Sequence, residues 1–287
     1  MPLNFIKFHG FGNDYIVIDT KQFPNLSGLG EFALRICNRH YGAGADGIAV
    51  VGPAPDQAAD FQVRIFNPDG SEAALSGNGT RCAAAYLYRQ RLWQAPELRL
   101  STRAGVKRYV LRQADGNGRF VFDSELGQPK FDSASIPMLT DRSLDQVVDY
   151  PLEVAGETFK VTALQMGNPN CCLFVDDFND LDWRQVGRTI ENHKQFPDRT
   201  NVVFVRVKDR KNIELRIWER GVGETTASGT CSCAAAVATM VQEKSERAID
   251  VAMPGGNAKI HWRDDGEVVI TGSAEVIYAG QWLVTMS

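Results

Sequence analysis

The chain has 287 residues, 44% of them hydrophobic, and a formal net charge of −4. An apolar share of this size supports a packed core and excludes a disordered chain, and a slightly acidic balance leaves no basic footprint for nucleic acid. Apolar runs stay well short of the roughly 20 residues needed to cross a bilayer, so neither a nucleic-acid nor a membrane partner is expected.

This length accommodates one large domain or two ordinary ones. Residues 1–7 lack the charged-then-apolar layout of a secretory signal and read as a first strand, which leads to the expectation of a cytoplasmic protein. Six cysteines in so long a chain do not make a disulfide scaffold. Cys37, Cys82, Cys231 and Cys233 lie among small apolar residues, and Cys171 and Cys172 open a strand-like run, so buried free thiols are expected. Cys231 and Cys233 on one helix do not converge on a metal, and no second Cys or His pair stands nearby, so no metal site is expected.

From the N-terminus, Phe5 to Phe8 and Tyr15 to Asp19 read as strands, joined by a loop whose glycines permit positive φ. Spacing alone fits a plain hairpin and a loop made for close backbone approach equally well. Leu29 to Tyr41 has apolar residues at helical spacing and stops at Gly42. Ile48 to Val51 is a short buried strand, and Phe61 to Phe66 alternates between faces. The stretch from Asn67 to Arg81 then passes through a tight polar turn into an alanine-rich run, Cys82 to Leu87, that reads as a buried helix. Ser76, Gly77, Asn78 and Gly79 therefore sit where a helix begins. Unpaired N–H groups and the macrodipole there favour a carboxylate or an enolate.

Leu98 to Ser101, Gly105 to Leu111 and Arg119 to Asp123 read as strands, and the pattern from Asp115 to Phe131 is loose enough for a boundary. Beyond it come strands at Leu152 to Val154, Thr158 to Gln165 and Cys172 to Val175, then a helix from Asp182 to Glu191. Further strands are expected at Asn201 to Val207, Ile213 to Trp218, Ile249 to Ala252, Ala258 to Trp262, Val268 to Gly272 and Ala274 to Gly280. A second apolar helix, Cys233 to Val241, follows the motif from Glu219 to Thr230. Many short strands around two buried helices predict an α+β protein of two similar halves.

The two motifs match in detail. Asn67 precedes Ser76 by nine residues and Glu219 precedes Ser228 by nine; Glu72 and Glu224 each stand four before their serine. Ser-Gly followed by Cys-Ala-Ala-Ala closes both copies. The matched spacings predict a duplicated unit whose two helix N-termini face one site.

These motifs, together with Phe8 to Asp14, Gly42 to Gly47, Gly167-Asn168-Pro169 and Thr200-Asn201, resemble the diaminopimelate epimerase family over nearly the whole length. The resemblance implies two pseudo-symmetric domains, each a curled, barrel-like sheet around a central helix, with the active site between them. It implies that the C-terminal tail returns to the first domain, giving an N-terminal half of 1–118 plus 266–287 and a C-terminal half of 119–265. It further implies an isomerase that needs no pyridoxal phosphate or other cofactor. Such an enzyme converts LL- to meso-diaminopimelate for lysine and peptidoglycan precursors, with a small diamino acid as substrate and a homodimer as assembly.

Inversion at an α-carbon takes one proton off one face and supplies another from the opposite face, and two groups, one base and one acid, are the simplest solution. The family's cysteine pair falls on Ser76 and Ser228, and its histidine after Gly-Asn-Pro falls on Asn170. By resemblance Glu219 stands beside Ser228 and Asn170 beside Ser76. One face then keeps an ionisable partner and the other has an amide. The implied substrate contacts are Asn13, Asn67, Asn168, Asn201, Glu219 and Arg220, with Gly77 and Asn78 on one helix end and Gly229 and Thr230 on the other. Gly47 stands where the family often has glutamine. Three readings remain open: an epimerase scaffold made inactive at its proton carriers, a one-sided proton-shift isomerase of the same fold, and a non-catalytic amino-acid binding protein.

Overall fold

Ile48, Ala49, Val50 and Val51 are all buried, and they face two different layers. Side chains alternate along a strand, so Ala49 and Val51 join one apolar cluster while Ile48 and Val50 join another. A continuous apolar run is what a strand covered on both faces requires. The computed structural model describes residues 2–23 and 26–283, divided into two compact units, Met1–Ser124 with Thr271–Ser287 and Glu125–Ile270. Met1 of the expected first strand and residues 284–287 of the expected returning tail lie outside the described residues.

In the first unit, Leu3–Gly10 pairs antiparallel with Asn13–Asp19, which runs parallel to Gly47–Pro53. That strand pairs with Phe61–Phe66, which runs parallel to Glu97–Thr102 and through it reaches Gly105–Ala114 and Arg119–Gly127. The long strand Val268–Trp282 closes the barrel by pairing with both Arg119–Gly127 and Leu3–Gly10. Helix α1, Leu29–Ile36, covers the outside through Leu29, Phe32, Ala33 and Ile36. Helix α2, Gly77–Arg89, fills the inside, with Cys82 to Leu87 packed against Phe8, Val17, Leu100 and Phe122.

The second unit repeats the order. Glu157–Gln165 pairs antiparallel with Pro169–Phe174, which runs parallel to Asn201–Asp209; then come Asn212–Glu219, the parallel Ala248–Met253 and the antiparallel Gly256–Trp262. Helix α3, Trp183–Glu191, begins at Asp182, whose side chain accepts from the Gln185 N–H, and it lies on the outer cluster with Phe204 and Trp218. Helix α4, Gly229–Val241, is buried from Cys231 to Met240. Each unit is thus a curled sheet wrapped on one alanine-rich helix, an α+β architecture in which β-structure predominates.

Two expectations need correction. The helix expected to Tyr41 ends at Ile36, with Cys37 as its cap, and a turn occupies the remainder to Gly42. The expected break at Gly272 does not occur: Val268–Trp282 is one continuous strand. Gly272 is there for clearance, since a Cβ would come within 2.6 Å of the Phe11 ring.

Candidate active site

In the first unit the turn at Phe11 and Gly12, both with positive φ, closes a hairpin in which Gly10 faces Asn13. Asn13 donates Nδ2 to Asp46 Oδ2 at 2.8 Å and accepts from Asn78 Nδ2 at 3.2 Å. Asp46, the acid of the Gly-Ala-Asp-Gly motif, also accepts from the Asp14 N–H at 3.0 Å. Asp14 is buried, which alone would raise its pKa; Arg39 and Lys7 outweigh burial and hold the carboxyl down to about 2. Arg81, 1% exposed, donates to Asn78 Oδ1 and to the Ser273 carbonyl, and its guanidinium lies 4.8 Å from the Phe11 ring centre. Asn78 and Asn13 therefore sit on a rigid charged frame.

Ser76 is the N-cap of α2, with φ −132° and ψ 119°, and its Oγ accepts the Gly79 N–H at 3.1 Å. A cap of this kind is worth about 1 kcal/mol. The Tyr15 hydroxyl donates to the same Oγ at 2.8 Å. A Cβ at Gly77 would meet nothing within 4 Å, so this helix end is open. Asn67, in the turn before it, donates to Ser71 Oγ at 3.0 Å.

In the second unit Ser228 opens α4 with similar backbone angles, φ −146° and ψ 125°, but its side chain makes no cap bond. Glu219 is the group of interest there. Burial raises its pKa above the ordinary carboxylate value, and the hydroxyls of Thr225 and Ser228 oppose that shift. Thr225 Oγ1 donates to Glu219 Oε1 at 2.8 Å. Asn168, Asn170 and Asn201 form one hydrogen-bonded group. Asn170 Nδ2 donates to the Asn168 carbonyl at 2.8 Å and to its Oδ1 at 3.0 Å, while Asn201 Nδ2 donates to Asn170 Oδ1 at 3.3 Å. Asn168 reaches Thr230 Oγ1 at 3.3 Å, and Asn201 Oδ1 accepts the Arg220 N–H at 2.9 Å. Arg220 is exposed and donates Nη1 to the Asp198 carbonyl.

Three residues with local importance escaped the sequence reading. Tyr15 carried a signal, because a tyrosine in a buried strand needs a partner for its hydroxyl. Glu191 carried another: an acid at a helix C-terminus opposes the dipole and must find donors elsewhere. It accepts from Trp218 Nε1, the Gly221 N–H and Arg199 Nη1, each at 2.7 Å. Thr225 carried none. All six cysteines are buried and free of disulfides, and no cluster of metal-ligating side chains occurs among the described residues.

The family model described as diaminopimelate epimerase matches residues 5–131 and 162–277. The chain belongs to the diaminopimelate epimerase family. A diaminopimelate epimerase of Pelotomaculum thermopropionicum is 40% identical over 281 residues, covering 98% of this chain and 99% of that protein. One of Moorella thermoacetica is 41% identical over 286 residues, covering 98% and 99%. Among solved structures, a Bacillus anthracis phenazine biosynthesis protein of the PhzF family superposes with a TM-score of 0.67 at 15% identity, covering 99% of this chain and 100% of that one. That likeness speaks for the fold. Membership of the diaminopimelate epimerase family makes the chain an isomerase of the cofactor-independent kind. No helix among the described residues is long and apolar enough to cross a membrane.

Proposed function

We propose that this chain takes an amino acid of the diaminopimelate type and works on its α-proton, exchanging that proton faster than it inverts the carbon. Support for the substrate class comes from the full-length relatives named above, and Glu219 supports the chemistry. A carboxylate made more basic by burial is a better proton acceptor near neutral pH than an exposed one. In this reading Glu219 removes the α-proton, with Ser228 beside it, and returns a proton to the same face. The N–H groups at Gly77 and Asn78 and at Gly229 and Thr230 steady the carboxylate and the enolate formed from it. Asn67, Asn168, Asn201 and Arg220 hold the remainder of the substrate.

Inversion from LL- to meso-diaminopimelate needs a second proton from the opposite face. The resemblance supplies cysteines for both duties, whereas a serine hydroxyl stays protonated near neutral pH unless a strong base draws on it. Two-sided turnover is therefore slow in this reading. The experiment is incubation of LL-diaminopimelate with the protein in D2O, followed by α-deuterium analysis and chiral separation of the recovered amino acid. Deuterium should enter ahead of the meso product, and Glu219→Gln should lower uptake by about 10²-fold or more. Inversion keeping pace with exchange, or uptake indifferent to Glu219→Gln, overturns the reading.

A further inference from the structure

Ser76 Oγ accepts two hydrogen bonds, from the Tyr15 hydroxyl at 2.8 Å and from the Gly79 N–H at 3.1 Å. A serine hydroxyl has two lone pairs and one hydrogen. Both acceptor positions are therefore taken, and the hydrogen is left to donate. Such an oxygen has no lone pair with which to take a proton from carbon.

The Tyr15 ring is held in place by the chain around it. It is 6% exposed, and a Cβ at Gly47 would come 2.7 Å from its Cε1 and one at Gly79 2.8 Å from the same atom. The two glycines leave a slot that the ring fills, and from it the hydroxyl reaches Ser76 Oγ. Burial raises the Tyr15 pKa, and the surrounding Cys82, Asp46 and Cys37 push the same way against the Ser76 hydrogen bond. The phenol therefore remains a donor throughout the working pH range.

Building on the proposed function, we propose that Tyr15 is a positioning residue that turns the Ser76 hydroxyl into a fixed hydrogen-bond donor toward a carboxylate or enolate oxygen of the substrate. Ser76 then binds an anionic oxygen together with the helix end. It is not the second base.

The test needs no substrate. Ser76→Cys introduces a thiol into a protein whose own six cysteines are all buried, so the pH dependence of iodoacetamide alkylation reads that position. With Tyr15 donating to the sulfur, the thiolate is favoured; adding Tyr15→Phe should raise the apparent thiol pKa by about 1 unit, the loss of one hydrogen bond to a charged group. Replacing Tyr15 by 3-fluorotyrosine, a stronger donor of nearly the same shape, should move it the opposite way. A merely structural role moves neither in that order, and an unshifted profile overturns the proposal. In a second arm, Tyr15→Phe should weaken diaminopimelate binding about tenfold in the parent and leave it unchanged in a Ser76→Ala background. An equal loss in both backgrounds overturns the proposal. Absence of diaminopimelate binding by the parent overturns the substrate assignment instead, while the alkylation profile still decides on Tyr15.

Discussion

Thr225 donates its hydroxyl to Glu219 at 2.8 Å, and this bond opposes the rise in pKa that burial imposes on the carboxyl. Thr225→Val keeps the shape and removes the donor, so the Glu219 pKa should rise further. The acidic limb of the exchange rate against pH should move to higher pH in that variant. An unmoved limb would show that another group sets it.

The same raised pKa has a consequence for stability. A carboxyl whose folded pKa lies above its unfolded value favours folding below the unfolded pKa, and that advantage is lost as pH rises through the folded pKa. Glu219 thus costs stability at neutral pH. Glu219→Gln should raise the urea midpoint at pH 7, with the gain shrinking on acidification through the carboxylate range. Equal midpoints at pH 7 would contradict this.

Glu191 has the opposite sign. Burial would raise it, but the Gly221 N–H, the Trp218 indole and Arg199 together hold its pKa below the usual value. Its contribution is present above the ordinary carboxylate pKa and lost as pH falls through the lowered one. Glu191→Ala should cost about 3 kcal/mol at pH 7, because the Trp218 and Gly221 donors lose their partner, and the cost should diminish in acid. Denaturant melts at the two pH values measure both statements.

Arg220 is exposed; its backbone N–H is held by Asn201 Oδ1, and its guanidinium donates to the Asp198 carbonyl. Arg220→Ala should weaken diaminopimelate binding by about 2 kcal/mol, the lower end for loss of a charge pair to a bound carboxylate. Unchanged affinity by calorimetry would remove Arg220 from the set of substrate contacts.

The six cysteines are buried, and burial raises the thiol pKa of Cys37, Cys82, Cys171, Cys172 and Cys231. Thiolates, not thiols, react. A thiol reagent should therefore label the native protein negligibly and label every cysteine once the chain is unfolded. Rapid labelling of native protein would show that one of them is open to solvent.

The amino-acid sequence by itself determined the family and the α+β architecture. The Ser76 and Ser228 motifs recur at matched spacing, and a strand followed by a capped, alanine-rich helix is specified locally by periodicity and cap residues. Strands such as Phe61–Phe66 and Asn212–Glu219 were legible because alternation is a property of neighbours along the chain. What depends on packing was not. Tyr15 meets Ser76 across 61 residues of sequence, through a slot that Gly47 and Gly79 leave empty. Gly272 reads as a strand break until the Phe11 ring occupies the space beside it. Glu191 reads as a helix end until Trp218 and Gly221 turn their N–H groups toward it. In each case a glycine or an acid has several local meanings, and only the register of distant strands selects among them. Which oxygen has a lone pair to spare is decided by tertiary contacts, because hydrogen-bond capacity is filled by whatever the fold brings within about 3 Å.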